Sequence, residues 1–153
     1  MDVGIRQATV DDMELLMKWR MEVLHEVFAI PENHPTEKLE AENSKYYERA
    51  LRTEEHIACF AWVENQIVGC GGICLYQEMP SPDNPDGRCA YLMNIYTRPE
   101  VRKQGIGEAI ITWLVNQAAD LGISKIYLET SKAGKSLYTK MGFAPMPDMM
   151  KYC

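Results

Sequence analysis

Apolar positions recur along the chain with two different periods, one typical of helices and one typical of strands. Between residues 13 and 27 they recur every three or four positions, and Thr9 with the two aspartates after it supplies a helix start. The pattern therefore predicts a first helix over residues 10–28. A polar, glutamate-rich stretch predicts a second helix from Thr36 to about Leu51. The segment GIRQAT before both helices predicts a short first strand.

Three apolar, extended segments follow the predicted helices, at residues 56–63, 67–76 and 89–97. Only the short link ENQ separates the first two, which predicts an antiparallel hairpin. Residues 79–88 read MPSPDNPDGR and consist of turn-forming residues, so they predict an exposed loop.

The second half of the chain returns to helical spacing. An apolar stripe predicts a helix from Ile106 that ends at Gly122, and residues 123–130 predict a further strand. Ser131 caps a short helix that ends at Gly142, and a short strand after Phe143 remains an option. The predicted order is β-α-α-β-β-β-α-β-α, with that last strand optional.

The length and composition of the chain are typical of a globular protein. It has 153 residues, of which 46% are hydrophobic and 25% charged, so we expect a single domain over residues 1–153. No apolar run approaches the roughly 20 residues that cross a bilayer, and no basic segment precedes an apolar one at the start. We therefore expect a cytoplasmic location and no membrane partner.

The net charge of -6 argues against nucleic acid as a partner. The charge is also distributed unevenly along the chain. Residues 1–66 carry 7 basic and 14 acidic side chains, whereas residues 67–153 carry 9 and 8. One interpretation is that solvated helix faces are simply rich in glutamate. The other is that one half of the chain binds a phosphate ligand and the other a basic substrate.

The five cysteines form neither a CxxC pair nor an even disulfide framework. Cys70 and Cys74 lie four residues apart in an extended segment, at about 3.3 Å per residue, which is too far for a disulfide. No histidines cluster with them. We expect reduced, mostly buried thiols and no metal site.

A glycine-containing loop precedes the helix that begins at Ile106. Its residues Arg102-Lys103-Gln104-Gly105-Ile106-Gly107 follow a strand, where exposed N–H groups and the helix dipole bind phosphate or pyrophosphate. A dinucleotide fingerprint would need glycine or alanine at position 110, where isoleucine stands, and the chain contains no P-loop string. The hexapeptide fits the pattern [RQ]-x-x-G-x-[GA].

This hexapeptide, its position after NIYTRPE and the later segment SLYTKMGF resemble the GCN5-related N-acetyltransferases, the acetyl-CoA-dependent GNAT superfamily. The superfamily's order of elements covers essentially the whole chain. The resemblance implies a single α+β domain with a mixed, mostly antiparallel central sheet flanked by helices. It also implies acetyl-CoA as cosubstrate, with no metal.

The resemblance further implies how acetyl-CoA is bound. Backbone N–H groups of the loop would hold the pyrophosphate, and the end of the strand 89–97 would offer main-chain groups to the pantetheine arm. That strand and the strand 123–130 would separate to expose this edge. Ser131 stands where an asparagine is frequent in the family. The expected cofactor-binding residues are Ile95, Tyr96, Thr97, Arg102, Lys103, Gln104, Gly105, Ile106, Gly107 and Ser131.

Two residues are candidates for catalysis. Tyr138 matches the family tyrosine that protonates the departing thiolate, and a phenol stays protonated at neutral pH. The alternative is a core aromatic at helical spacing. Asn94 is a polar residue in an apolar strand, where it either hydrogen-bonds a bulge or faces the acceptor. The resemblance places the oxyanion near the main-chain N–H of Ile95.

The general base is not assigned by the sequence. Tyr91 stands where some relatives carry a glutamate, so a water chain, Glu22 or Glu26 are the options. The position of each acid favours a solvated surface charge over a general base. The acidic first half favours a small cationic amine as acceptor. A protein N-terminal or lysine acetyltransferase with a peptide acceptor, and a non-catalytic acyl-CoA sensor, remain alternatives. A homodimer is compatible with all of them.

Overall fold

Five strands form one sheet, and four helices pack on it, in the computed structural model, which describes residues 2–153. The strands lie side by side in chain order. They are β1 (Gly4–Ala8), β2 (His56–Val63), β3 (Gln66–Gln77), β4 (Arg88–Thr97) and β5 (Lys125–Leu128). The helices are α1 (Met13–Val27), α2 (Glu37–Arg52), α3 (Ile106–Asp120) and α4 (Lys132–Lys140).

The sheet is mixed and mostly antiparallel, as the family resemblance implies. The first four strands pair antiparallel, and only β4 and β5 pair parallel. The predicted strand 123–130 is too long, because the N–H of Ile123 instead bonds the carbonyl of Ala118 in the turn after α3. The optional strand after Phe143 is absent from the described residues.

Side-chain alternation along the strands separates two apolar cores. On one face of the sheet, α3 packs Ile106, Ile110 and Leu114 against β3 and β4, and these three side chains are buried. On the opposite face, α1 and α2 pack around Trp19 and Tyr47. The chain after β4 crosses to the α3 face, so the two helix pairs lie on opposite sides of the same strands.

Two predicted segments differ from the structure in detail. The expected helix 10–28 begins with a 3-10 turn, Val10–Asp12, which Thr9 and Asp12 close with reciprocal side-chain hydrogen bonds. The prediction that residues 79–88 are an exposed loop is wrong for Asn84, which is 2% exposed. Its amide donates to the carbonyl of Arg88 at 3.1 Å, so the loop folds back onto the start of β4.

The cysteines, the lengths of the helices and the grouping of metal-ligand residues bear on three expectations from the sequence. The five cysteines are free thiols, three of them buried, with Cys74 half-buried and Cys153 exposed. Among residues 2–153, no helix is long and apolar enough to span a membrane. In the same part of the chain, no group of three or more histidine, cysteine or acidic side chains is placed to hold a metal ion.

Glycines allow α3 to approach β3 closely. A Cβ on Gly69 would lie 2.7 Å from the backbone carbonyl oxygen of Tyr96 and 3.1 Å from Ile110 Cδ1. The carbonyl belongs to the neighbouring strand and cannot move away without disturbing the sheet.

We expect Gly69→Ala to lower the free energy of unfolding by about 1–3 kcal/mol, because the added methyl overlaps backbone. The matched control is Gly4→Ala, since a Cβ there meets nothing within 4 Å and its effect should stay within about 0.5 kcal/mol. Urea unfolding measures both. Equal effects of the two substitutions would show that the close approach at Gly69 is not a constraint.

Candidate active site

The pairing between β4 and β5 is short and leaves part of β4 without a partner. It runs from Cys89 opposite Lys125 to Leu92 opposite Leu128. Beyond this point β4 continues to Thr97, whereas the chain after Leu128 leaves the sheet to begin α4. Within residues 2–153, no strand pairs with 93–97 on that side. The expected separation of these two strands is therefore present.

A bulge interrupts β4 beside this opening. Cys70 pairs with Tyr96 and Gly72 with Met93, so two residues of β4, Asn94 and Ile95, stand opposite the single residue between them on β3. Asn94 has a φ of +59°, in the left-handed region. Because of the bulge, the backbone at Asn94 and Ile95 leaves the regular ladder at the point where β5 has already departed.

The side chain of Asn94 faces α1 and α2. Its Oδ1 accepts a hydrogen bond from Arg20 Nη1 at 3.0 Å, and its Nδ2 donates to the hydroxyl of Tyr47 at 3.4 Å. Arg20 also donates to Asn43 Oδ1 at 2.9 Å, which holds the guanidinium. Asn94 thus lies in a bulge, and its amide is on the face opposite α3.

The glycine-containing loop has the backbone shape of an anion site. Lys103 and Gly105 have φ values of +63° and +84°, and left-handed residues at alternate positions are typical of anion-binding nests. Gly105 is the residue before α3, whose first N–H groups lack partners within the helix. Residues 102–105 are exposed, and a Cβ on Gly105 would meet nothing within 4 Å. The loop therefore has open space in front of a helix N-terminus.

The side chain of Arg102 is directed back to β4 rather than outward. Its Nε donates to the carbonyl of Thr97 at 2.8 Å, and its guanidinium lies 5.7 Å from the ring centre of Tyr96. The Thr97 carbonyl, which the sequence assigns to the pantetheine arm, thus already has a donor. This bond joins the end of β4 to the start of the loop.

The helix α4 lies beside the loop on the α3 side of the sheet. Leu137 Cδ2 is 3.7 Å from the position of a Cβ on Gly107, which is where the helix meets the first turn of α3. Ser131 Oγ accepts from the N–H of Gly134 at 3.3 Å, so this side chain caps α4 as predicted.

Tyr138 is half-buried on α4. Its ring packs edge-on against Phe143, with 5.8 Å between ring centres, and borders a cavity of about 800 Å³ between α3, β5 and residues 142–151. Burial raises the pKa of Tyr138 above its ordinary value of 10. The phenol is therefore protonated throughout the neutral range.

Of the acids that the sequence offers as a general base, Glu22 is bound in an ion pair. Arg98 donates to both of its oxygens, at 3.0 and 3.1 Å, and the guanidinium also stacks 4.3 Å from the Trp19 ring. Burial alone would raise the pKa of Glu22. Hydrogen bonds from Arg98 and Tyr96 and the positive charges of Arg98 and Lys18 outweigh burial, so the pKa is lowered. A carboxylate held in this way is a poor proton acceptor.

The histidines give no better base. His56 is buried, and burial, followed by the charge of Arg20, lowers its pKa to about 4, so its ring is neutral. Its Nδ1 lies 2.8 Å from the hydroxyl of Tyr46. His25 Nδ1 is 2.8 Å from the carbonyl of Ile30, which is a local contact at the end of α1.

Sequence reasoning missed a group of side chains at the mouth of the opening. Tyr91 and Tyr127 are register partners on β4 and β5, and Glu129 follows the last residue of β5. A polar residue next to a predicted strand end was the only signal available for Glu129. Only the register of the two strands, which is set by the tertiary structure, shows that the two tyrosines are neighbours.

The chain has relatives of known fold and activity. Residues 16–143 match the acetyltransferase (GNAT) family. The thialysine N-epsilon-acetyltransferase of Sus scrofa is 28% identical in an alignment that covers 67% of this chain and 71% of that protein. The solved structure described as a "predicted acetyltransferase with acetyl-CoA from Clostridium acetobutylicum" has a TM-score of 0.87 and 29% identity, covering 99% of this chain and 96% of the other. A GCN5-related N-acetyltransferase from Ralstonia eutropha shares the fold, with a TM-score of 0.81, 22% identity and 99% of each chain covered.

The pair between Glu22 and Arg98 should contribute to stability in a pH-dependent way. The folded pKa of Glu22 is lower than its unfolded value, so the contribution is present above about pH 4.5 and is lost as the pH falls through the folded pKa. We expect Glu22→Gln to lower the free energy of unfolding at pH 7 by about 1–2 kcal/mol. The difference from wild type should shrink below pH 4.

The matched control is Glu48→Gln, which removes an exposed pair with Arg52 on α2. Its effect should be at most about 0.5 kcal/mol. Urea unfolding at several pH values measures both variants. A pH-independent loss in Glu22→Gln would show that packing, not charge, holds α1 to the end of β4.

Proposed function

The chain belongs to the acetyltransferase (GNAT) family and is an acetyl-CoA-dependent N-acetyltransferase, and we propose that residues 1–153 act as one domain that acetylates a small cationic primary amine. One observation carries this proposal. The exposed loop before α3 follows, after one 3-10 turn, the stretch of β4 that β5 leaves unpaired. A linear cofactor with a pyrophosphate at one end and amides along its arm fits this arrangement.

We assign the loop and the β4 edge to acetyl-CoA. Backbone N–H groups of residues 102–107 bind the pyrophosphate at the N-terminus of α3. Main-chain groups of residues 95–97 pair with the amides of the pantetheine arm, as a further strand would. The bulge at Asn94 turns the N–H of Ile95 out of the ladder, and we assign this donor to the acetyl carbonyl oxygen. Ser131 contributes by beginning α4 beside the arm.

Tyr138 supplies the proton for the leaving group. The ammonium of the acceptor first loses one proton to solvent, and its nitrogen then forms a bond to the acetyl carbon. The carbon–sulfur bond breaks and its electron pair goes to sulfur, which takes the Tyr138 proton. The acylated nitrogen loses its extra proton, which restores the phenol through solvent. The sum is one acetamide, one free thiol and one released proton.

A small amine as acceptor is supported by the relatives and by charge. The Sus scrofa relative is a thialysine N-epsilon-acetyltransferase, and the ε-nitrogen of thialysine is a primary amine. In this chain the residues before β3 carry a net negative charge, and they include α1 and α2, the helices on the side of Asn94. A negative field on that side concentrates cationic amines.

Replacing the hydroxyl of Tyr138 should reduce turnover without affecting cofactor binding. We expect kcat of Tyr138→Phe to fall by about 10²-fold or more, since a positioned acid contributes on that scale. The rise in Tm with acetyl-CoA should equal that of wild type. Tyr152→Phe removes an exposed hydroxyl and serves as the control.

Thiol release with a panel of primary amines measures this change. A kcat within about twofold of wild type would remove Tyr138 from the mechanism. Because the pKa of Tyr138 is raised, its ionisation should not appear in the kcat–pH profile of the wild type below pH 10.

The loop assignment can be tested at Gly105, whose left-handed backbone is costly for any residue with a Cβ. We expect Gly105→Ala to weaken acetyl-CoA binding by about tenfold, because strain of about 1–2 kcal/mol moves the N–H groups that face the pyrophosphate. Gly122→Ala is a matched control, since Gly122 has a φ of +78° at the far end of α3. Titration calorimetry with acetyl-CoA distinguishes them. Equal affinities of the two variants would contradict the loop assignment.

A further inference from the structure

A row of side chains on the α1–α2 face of the sheet continues beyond the edge of α2. Cys74, Tyr91 and Tyr127 are register partners on β3, β4 and β5. The two tyrosine rings lie 4.9 Å apart between centres, at an angle of 40°. The hydroxyl of Tyr46 on α2 lies 3.1 Å from Cys74 Sγ, so the helix covers this end of the row. The tyrosine rings beyond it are only half-buried.

The bulge in β4 connects this row to the proposed reaction centre. Met93 Sδ lies 3.2 Å from Cys74 Sγ, and Asn94 bonds residues of α1 and α2, so both side chains lie on the same face of the sheet. Tyr91 is three residues from Asn94, which is about 10 Å along an extended strand. A short alkyl chain bridges such a distance.

Glu129 lies at the edge of the same row. It is exposed and follows the last paired residue of β5, two residues beyond Tyr127. Alternation continued past the strand end places it on the face of Tyr127. Burial raises the pKa of Tyr91, and the negative charge of Glu129 raises it further. No lysine, arginine or histidine of residues 2–153 forms an ion pair with Glu129.

Lys125 and Arg20 are basic side chains on this face: Lys125 is paired with a carboxylate, whereas Arg20 is held by neutral side chains and keeps its positive charge. Lys125 Nζ lies 5.5 Å from the Tyr127 ring centre, but Glu78 accepts from it at 2.8 Å. The guanidinium of Arg20 is held by two asparagine side chains. Glu129 is thus the charge beside the tyrosines that still attracts a cation.

We propose that Tyr91, Tyr127 and Glu129 bind a second, non-reacting cation of the acceptor, so that the preferred substrates are amines with a further ammonium at the end of a short alkyl chain. This inference rests on the proposed function. The carboxylate supplies a countercharge. The faces of the tyrosine rings stabilise an ammonium, and the rings pack against its methylenes. The row is on the side from which the amine reaches the bulge.

Two amines of equal length test the site, because they differ only at the far end. These are 1,5-diaminopentane, which ends in an ammonium, and 5-aminopentan-1-ol, which ends in a hydroxyl. We expect wild type to show a kcat/KM about tenfold higher for the diamine. Glu129→Gln should abolish this preference and leave kcat/KM for the amino alcohol within about twofold.

Further variants separate the site from general effects. Tyr127→Leu should lower the diamine preference in part, because it removes the ring and keeps an apolar side chain. Asp148→Asn removes one exposed negative charge in the C-terminal segment and should leave the preference unchanged. The rise in Tm with acetyl-CoA should be the same in all variants.

The other outcomes overturn the inference in distinguishable ways. If wild type acetylates both amines equally, the proposed function stands and the second-cation site is wrong. If Glu129→Gln lowers kcat/KM for both amines alike, Glu129 acts on the reacting amine instead. If wild type acetylates neither amine although acetyl-CoA raises its Tm, the small-amine function fails and the site fails with it.

Discussion

The β4–β5 ladder ends early, and this leaves one edge of the strand β4 open. Four residue pairs join the two strands, and after Leu92 and Leu128 they separate. The remaining main-chain donors and acceptors of β4 then face an opening instead of a strand, and such groups need partners. An extended ligand with amides can supply those partners. The separation thus converts an ordinary sheet into a binding edge.

Several contacts keep β4 in place although its partner has left. The bulge opposite Gly71 changes the direction of the backbone at Asn94, and Arg20 holds the asparagine side chain. At the end of the strand, Arg98 binds Glu22 of α1, and Arg102 bonds the carbonyl of Thr97. These polar contacts fix the strand end and the loop relative to each other. The open edge is therefore preorganised without the support of a neighbouring strand.

The chain crosses from one face of the sheet to the other after β4, and this separates the proposed cofactor side from the proposed amine side. The loop, α3 and α4 lie on one face, where they form the proposed cofactor side. α1, α2, the Asn94 amide and the row of tyrosines lie on the opposite face, where the amine would arrive. The reacting groups would meet only through the opening between the strands.

The sequence by itself determined the elements, their order and the loop. Residue periods of two and of three to four are local properties, so the ends of the helices and of most strands were predicted within about two residues. The loop from Arg102 to Gly107 could be recognised because its pattern is contiguous in the chain. The sequence could not determine where β5 begins, because that depends on whether Ile123 bonds the end of α3 or a strand. Nor could it bring Tyr127 to Tyr91 or bind Glu22 to Arg98, which are 36 and 76 residues apart in the chain. Such contacts follow from strand register and from the packing of α1 on the sheet, which are set only when the distant parts of the chain bury their apolar faces together.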